Sequence, residues 1–505
     1  MRLILSIIAG ILLAAPFANG WLWIGAWVGF VPLCFALRGQ SFWRALVLSY
    51  LCGVVFWACA IYWLVHVTLA GTIVLILYLS LYFGIAGLFF RFSSILNTQY
   101  SILFIPAVWV VLEYTRSYFL TGFPWALLGY SQYKNLPVIQ IADLTGAWGV
   151  SFAVVMVNVA LYVAVSCRAS AFSRFKRLFV PVLLLVVTLG YGYYSMSSIH
   201  NTQYSRQTRI ALIQPNIPQE MKWNPADRSL IMERLSSVSQ EAAERKPKLV
   251  IWPEAALPVV LEEEPAYFMQ AQHLAQAMSV PILLGAVTAR EGRYYNSALL
   301  VSPEGTLRKR YDKIHLVPFG EYIPMRETFP FLETVAPIGD ITPGDDFTIF
   351  SIPSTPLLNT HDSILNTNFS VLICFEDLFP ELSRAFVQRG AGFLVNITND
   401  AWYKKSTAAT QHLMASVFRA VENRVFVARA ANTGISAVIA PTGGLVSLVS
   451  DKAGNAIFVQ GLSIFDVTLV ENAGSWYTKK GDWFVIICAF LSLYGIIALF
   501  RKNAQ

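Results

Sequence analysis

Three residues in the chain have the types needed for nucleophilic chemistry on a carbonyl. Glu254 closes the apolar run "LVIWPE", Lys313 lies in "RKRYDKIHLVPFGE", and Cys374 ends the strand-like run in "FSVLICFE". They are separated by 59 and 61 residues, so only the fold can bring them together. A thiol at neutral pH is mostly protonated, and it becomes a nucleophile when a base takes its proton or a cation lowers its pKa. Glu254 is the candidate base, provided burial raises its own pKa toward neutrality. Lys313 is the candidate partner for the oxyanion that forms when sulfur attacks a carbonyl. Taken singly, each has an ordinary reading as turn glutamate, solvated lysine or small core cysteine. Their joint occurrence at the ends of apolar runs favours chemistry.

Such residues need a frame. Between residues 209 and 475, short apolar runs (Ile210–Gln214, Leu249–Trp252, Ile282–Val287, Ala298–Val301, Phe369–Cys374 and Phe393–Ile397) alternate with helical stretches, the clearest being Ala226–Glu244 and Pro265–Met278. This pattern predicts a layered α/β domain with sheets buried on both faces. Adjacent strands of one sheet, presenting all three side chains at one edge, would assemble the cluster. The helix expected near Cys374, opened by Pro380, would add backbone N–H groups and a partial positive charge. The segment from Phe319 to Asp346 is the longest predicted loop. Its Phe329, Phe331, Leu332, Val335 and Ile338 suit contact with lipid or packing on the sheet.

The remainder of the 505 residues is of another kind. The chain is 56% hydrophobic and only 13% charged, with a net charge of +7, and its apolar residues crowd the first two hundred positions and the C-terminus. Eight segments approach the roughly 20 apolar residues that cross a bilayer: 3–17, 21–37, 45–65, 70–90, 101–113, 146–166, 178–196 and 483–500. Arg2, Arg38, Arg44, Arg91, Arg168, Arg174, Lys176, Arg177, Arg501 and Lys502 then share one side, the cytoplasm, with Arg116, Lys134, Lys479 and Lys480 opposite. The expected organisation is a seven-helix membrane region (1–196), a linker (197–208), a globular domain outside (209–475), and a last helix with a cytoplasmic tail (476–505). A cleaved leader ending near "ANG" would flip every later loop and spoil this asymmetry. The basic excess therefore implies no nucleic-acid partner. Cys34, Cys52, Cys59, Cys167 and Cys488 lie in or beside apolar spans, which leaves Cys374 without a disulfide partner in its own domain.

"WPE", "K…HLVPFGE" and "CFE", in this order and at these spacings, resemble the nitrilase superfamily. Together with the spans and the motif "GFPWALLGYSQY" (Gly122 to Tyr133), the chain resembles its membrane-embedded branch, the apolipoprotein N-acyltransferases. The resemblance implies a four-layer αββα sandwich and a Glu, Lys, Cys triad of Glu254, Lys313 and Cys374. It also implies a ping-pong reaction without cofactor or metal, in which an acyl chain passes from a phospholipid to the cysteine as a thioester. The chain then goes to the α-amino group of an S-diacylglyceryl-cysteine apolipoprotein. Glu321 matches a supporting second glutamate, Glu376 the acid two places after the nucleophile, and Trp223 a tryptophan near the cleft. Phe375 stands where the family can have tyrosine and lacks the hydroxyl. The implied location is a bacterial inner membrane with both termini cytoplasmic, the domain periplasmic, its cleft open at bilayer height, and a monomer as the default.

Other residues are weaker candidates. Asn399 and Trp402, in "NITNDAWY", follow another strand near the same edge. Arg419, Glu422 and Arg424 read as structural ion pairs, and His315 as a neighbour of Lys313. His273, His315, His361 and His412 show no metal-ligand spacing, and no phosphate-binding or dinucleotide glycine motif is present. A membrane-tethered amidase releasing free acid, a transporter and a silent binding protein are the competing functions. Within the spans the transporter reading finds one ionisable group, Glu113 at a helix end.

Overall fold

The computed structural model describes the chain except residues 92–98, 167–170, 201–205, 325–339, 354, 357–365, 470–473 and 504–505. Cys167, Arg168, His361 and the five apolar residues of the long loop lie outside the described residues, as do the side chains of Arg174, Lys176 and Arg177. The chain divides into two compact units, Met1–His200 with Lys480–Gln505, and Asn201–Lys479.

The first unit is helical and apolar on its surface. Among the described residues, six helical segments are long and apolar enough to cross a membrane: Gly20–Leu37, Phe42–Ala60, Leu69–Phe90, Ile102–Thr121, Ala147–Ser166 and Leu178–Ile199. This corrects the expected eight. The first segment ends after 17 residues, at Ala18 before Asn19, and the apolar part of the last, Trp483–Leu499, is equally short. The segment after Asn19 is not one helix but three pieces, a 3-10 turn Gly20–Leu22 and helices Ile24–Val28 and Phe30–Leu37. Asn158 mends the break, because its Oδ1 accepts from the Phe30 N–H at 2.8 Å and its Nδ2 donates to the Ala26 carbonyl at 2.8 Å. Interrupted backbone in a membrane unit requires such a partner. Small residues let helices close up: a methyl group at Gly53 would come within 2.7 Å of Phe83 Cβ.

Glu113 and Arg116 are both buried in this unit. Glu113 accepts from the Leu128 N–H at 2.7 Å, and Arg116 donates to the Trp125 carbonyl at 2.9 Å. They hold the "GFPWALLGYSQY" segment, so Arg116 is not a loop charge as the sequence count had it. The outer sides of helices such as Leu69–Phe90 expose Ile73, Val74, Leu77, Leu81 and Ile85. Such a surface needs lipid, and this is a membrane protein.

The second unit contains strands β1 (Arg206–Gln214), β2 (Leu249–Ile251), β3 (Ile282–Arg290), β4 (Arg293–Val301), β5 (Leu307–Asp312), β6 (Phe350–Pro353), β7 (Thr355–Pro356), β8 (Asn366–Ile373), β9 (Phe393–Thr398), β10 (Phe426–Ala431), β11 (Ala437–Ile439), β12 (Leu445–Leu448) and β13 (Gly461–Leu469). They form two mixed sheets. One has the order β13-β1-β2-β3-β4-β5, with β7 also paired to β1, and the other β12-β11-β10-β9-β8-β6. Each has three parallel strands at its centre, β1 to β3 in the first and β8 to β10 in the second, flanked by antiparallel ones. The sheets pack face to face through β1 against β10 and β4 against β8.

Helices cover the outer faces. Arg228–Ala243 and Pro265–Met278 lie on the first sheet, where Ile231, Leu235, Leu274 and Ala275 meet Val250, Trp252, Ile282 and Leu284 in one core. Helices Pro380–Gln388 and Ala408–Asn423 cover the second. The apolar periodicity of the strands follows from this layering, since parallel strands between a helix layer and another sheet have no wet face. This nitrilase-like sandwich leaves the carboxyl ends of β2 and β8 to carry Glu254 and Cys374.

Candidate active site

Glu254 follows β2 and Lys313 follows β5, both in the first sheet, whereas Cys374 follows β8 in the second. The expectation of one sheet edge is thereby corrected: facing sheets supply the cluster, and β3 and β4 separate the two strands on the first. Pairing partners lie far apart in sequence, so local patterns carry no record of sheet membership.

Cys374 has φ of +53°, in the left-handed region that residues other than glycine seldom adopt. Such a conformation persists when its surroundings over-determine it. Here the Cys374 carbonyl accepts from Asn396 Nδ2 and meets His412 Nε2, each at 3.2 Å. No long helix starts at the cysteine; a 3-10 turn, Cys374–Leu378, comes first, and the helix opens at Pro380. The sulfur accepts a hydrogen bond from Thr398 Oγ1 at 3.3 Å. Burial, reinforced by the Glu254 carboxylate, pushes the thiol well above its ordinary pKa, and Lys313 offsets this only in part. The thiol form is thereby favoured over the thiolate.

The buried Glu254 and Lys313 form one charge cluster with the partly buried Glu321. Lys313 Nζ lies 3.0 Å and 2.9 Å from the two oxygens of Glu321 and 3.8 Å from Glu254 Oε1. Asn296 Nδ2 donates to Glu254 Oε1 at 2.8 Å and to Glu321 Oε1 at 2.9 Å, joining the carboxylates. Burial alone would lower the pKa of Lys313, but Glu321 and Glu254 outweigh it and raise it, so the ammonium keeps its proton. Glu321 also accepts from the Val317 N–H at 2.8 Å. The described end of the long loop joins here, with the Ile341 N–H donating to the Glu321 carbonyl and that of Gly344 to the Lys313 carbonyl.

Glu376 ties the two sheets together. Its Oε1 accepts from Tyr311 Oη at 2.8 Å, the Ile314 N–H at 2.7 Å and the His315 N–H at 3.1 Å, while Oε2 accepts from the Ile373 N–H at 2.7 Å. Burial pushes its pKa up to about 7, against the pull of the backbone donors. Phe375 is buried beside Phe379 and His315. His315 itself lies 3.6 Å from Phe379 by ring centroids, and burial beside Lys313 lowers it to about 4. Asn399 is buried and bonded to Gln219 and Asn432, whereas Trp223 and Trp402 stand exposed at the surface. Arg419 and Glu422 form a fully buried ion pair at 2.8 Å, and Arg424 donates to the Pro441 carbonyl.

Several neighbours carried little or no signal in the sequence. His412 lies 2.9 Å from both Asp377 Oδ1 and Asp400 Oδ1, and Arg429 reaches the other oxygens of the same two carboxylates at 3.3 Å and 3.0 Å. This cage sits directly behind Cys374. Burial and Arg429 act to lower the histidine pKa, yet the two carboxylates prevail and raise it to about 9. Asn296, inside "YYNSALL", is a polar residue within a strand, and that oddity was the available clue. Lys222, buried with Nζ 2.9 Å from the Glu254 carbonyl, had only its place beside Trp223.

With this geometry in view, comparisons with known proteins are specific. Residues 209–471 match the carbon-nitrogen hydrolase family, and residues 9–160 match the apolipoprotein N-acyltransferase N-terminal domain. An apolipoprotein N-acyltransferase of Geobacter metallireducens is 36% identical, covering 99% of this chain and 96% of its own. One from Chlorobaculum tepidum is 30% identical, covering 94% and 91%. Among solved structures, an amidase from Nesterenkonia sp. aligns with a TM-score of 0.38 at 21% identity, over 53% of this chain and 92% of that one. The two family matches fall on successive parts of this chain and the likeness runs along nearly the full length of both this chain and the Geobacter protein, and the chain therefore belongs to the apolipoprotein N-acyltransferase family.

Proposed function

We propose that this enzyme moves an acyl chain from a phospholipid to the α-amino group of an S-diacylglyceryl-cysteine apolipoprotein through a thioester on Cys374. The observation that carries the reading is the cluster in which Lys313 Nζ lies 2.9 Å from Glu321 and 3.8 Å from Glu254, together with a cysteine held in a strained turn at the end of β8. Glu254 takes the thiol proton as sulfur attacks the ester carbonyl, and Lys313 stabilises the oxyanion. Collapse breaks the bond to the glycerol oxygen, which leaves with the proton from Glu254. In the second half the free amine attacks the thioester, Glu254 takes its proton, and the thiol is re-formed as the amide departs. Glu321 and Asn296 fix Lys313 and Glu254 in place, and Glu376 joins the segments bearing Lys313 and Cys374. Trp223, Phe375, Trp402 and Asn399 are assigned to the walls and supports of the cleft.

If the two 17-residue apolar helices Arg2–Ala18 and Trp483–Leu499 cross the bilayer along with the six longer segments, the excess of lysine and arginine at one set of span ends supports an inner-membrane protein with both termini in the cytoplasm and the sandwich in the periplasm. It works as a monomer in this reading. Incubating the purified chain with phospholipid and digesting it should reveal one added acyl mass at Cys374, absent from Cys374→Ser. Label on another residue, or none with intact phospholipid, would refute the proposal.

A further inference from the structure

Lys222 is a second buried ammonium in this site, and no role above accounts for it. It lies on the turn between β1 and helix Arg228–Ala243 and is only 4% exposed. The turn is firmly held. Asn432 Oδ1 accepts from the Ile217 N–H at 2.9 Å, its Nδ2 donates to the Ile217 carbonyl at 2.8 Å, and Asn399 Nδ2 donates to Gln219 Oε1 at 3.0 Å. The Lys222 N–H closes the turn on the Gln219 carbonyl. From there Nζ donates to the backbone carbonyl of Glu254 at 2.9 Å, and its charge acts on both the Glu254 carboxylate and the Cys374 sulfur.

Counting donors separates the two lysines. Each ammonium has three N–H groups. Lys313 meets both oxygens of Glu321 and lies 3.8 Å from Glu254 Oε1, beyond hydrogen-bond range, so two carboxylates balance its charge while its third N–H can turn to an oxyanion. Lys222 has a single neutral partner among the described residues, the Glu254 carbonyl. A buried cation whose hydrogen-bond partner among the described residues is a neutral carbonyl is costly, and burial lowers its pKa to about 8 despite the attraction of Glu254. An oxygen that gains negative charge during the reaction would be a stronger partner for this ammonium than a carbonyl, and only in the transition state.

We propose that Lys222 is a second oxyanion donor of the site, binding the carbonyl oxygen of the phospholipid ester and then of the thioester as each becomes tetrahedral. The assignment rests on the reading of Cys374 as acyl carrier. As the sulfur–carbon bond forms, the thiol proton passes to Glu254 and the carbonyl π pair moves onto oxygen. Lys222 and Lys313 hold that oxygen without giving up a proton. The pair then returns, the carbon–oxygen bond to glycerol breaks, and the alkoxide takes the proton from Glu254.

The test uses the full chain in detergent micelles containing an equal mixture of phosphatidylethanolamine and phosphatidylglycerol, with rapid quenching and intact-mass readout of acyl-Cys374. Lys222→Met should slow thioester formation by about a hundredfold or more, as removal of an oxyanion donor does. Alkylation of Cys374 by iodoacetamide, a displacement that forms no oxyanion, should stay within about tenfold of wild type. Thioester formation at the wild-type rate would overturn the proposal. So would parallel loss of acylation and alkylation, which marks a structural lysine. Wild-type protein that alkylates at Cys374 but never gains acyl mass would overturn the acyl-carrier reading itself, and with it this role.

Discussion

At the scale of single residues, burial and neighbouring charges hold protons on Cys374, Lys313 and His412. Cys374 remains a thiol because burial and Glu254 disfavour the thiolate, and Lys313 remains an ammonium because two carboxylates hold it. The cage behind the cysteine is the other fixed charge. His412 faces Asp377, Asp400 and Arg429, with Ser416 bonded to Asp377 and the Cys374 carbonyl 3.2 Å from its Nε2. Its folded pKa of about 9 lies above the ordinary 6.5, so the proton is bound more tightly in the folded state. The stabilisation is then complete below about pH 6.5 and is lost as pH rises through about 9. Thermal midpoints of the wild type between pH 6 and 10 should fall on the alkaline side, and His412→Gln should flatten that fall while lowering the midpoint at pH 6. An equally steep fall in the variant would refute the assignment.

At the scale of elements, two sheets must keep register so that residues from three strand ends converge. Parallel central strands aim their carboxyl ends the same way, which is where open sheets present reactive groups. The cross-tie is Glu376, whose oxygens collect donors from Tyr311, Ile314 and His315 on the first sheet's side and Ile373 on the second's. Glu376→Gln turns an amide toward those N–H groups. We expect a loss of about 3 kcal/mol in stability by denaturant titration, since hydrogen bonds to a buried carboxylate are each worth about 1.5–3 kcal/mol. Thioester formation should fall as well, because the segments bearing Lys313 and Cys374 share this carboxylate. A variant with wild-type stability would show that the tie is dispensable. The same logic explains Asn158 in the helical unit, which supplies partners to a backbone interruption that lipid cannot satisfy.

At the scale of the whole molecule, a membrane-spanning unit and a sandwich with a cysteine site occur in one chain for a reason of solvation. An acyl chain drawn into water costs about 0.8 kcal/mol per CH₂, so a donor with long chains favours an enzyme that resides in lipid. Transfer rather than hydrolysis also requires that the thioester outlast its exposure to water. The acylated enzyme should persist without acceptor, discharge onto an S-diacylglyceryl-cysteine peptide with a free amine, and ignore the same peptide after N-acetylation. Chromatography of the products decides the matter. Free fatty acid released as fast as amide would mean an amidase-type hydrolase instead.

Much of this was legible in the linear chain, and the division follows from the range of the forces. Apolar runs, their lengths and the polar residue that ends each are local, so the α/β alternation, the membrane segments and the chemical types of Glu254, Lys313 and Cys374 could be read directly. Helix Pro265–Met278 has the predicted bounds because Pro265 supplies a start signal within the segment itself. What required the fold was everything set by pairing at a distance. The assignment of Cys374 to the opposite sheet, the break in the segment after Asn19, and the packing of Arg116 over the Trp57 ring all depend on neighbours more than a dozen residues away. Lys222, Asn296 and His412 are ordinary polar residues in the sequence, and they acquire meaning only when folding removes water and leaves particular charges facing them. By itself the sequence determined which reactive groups exist and that part of the chain must live in lipid, because composition and periodicity act locally. Only the tertiary structure decided which of those groups face one another and which are buried, because those energies depend on distances the chain order does not contain.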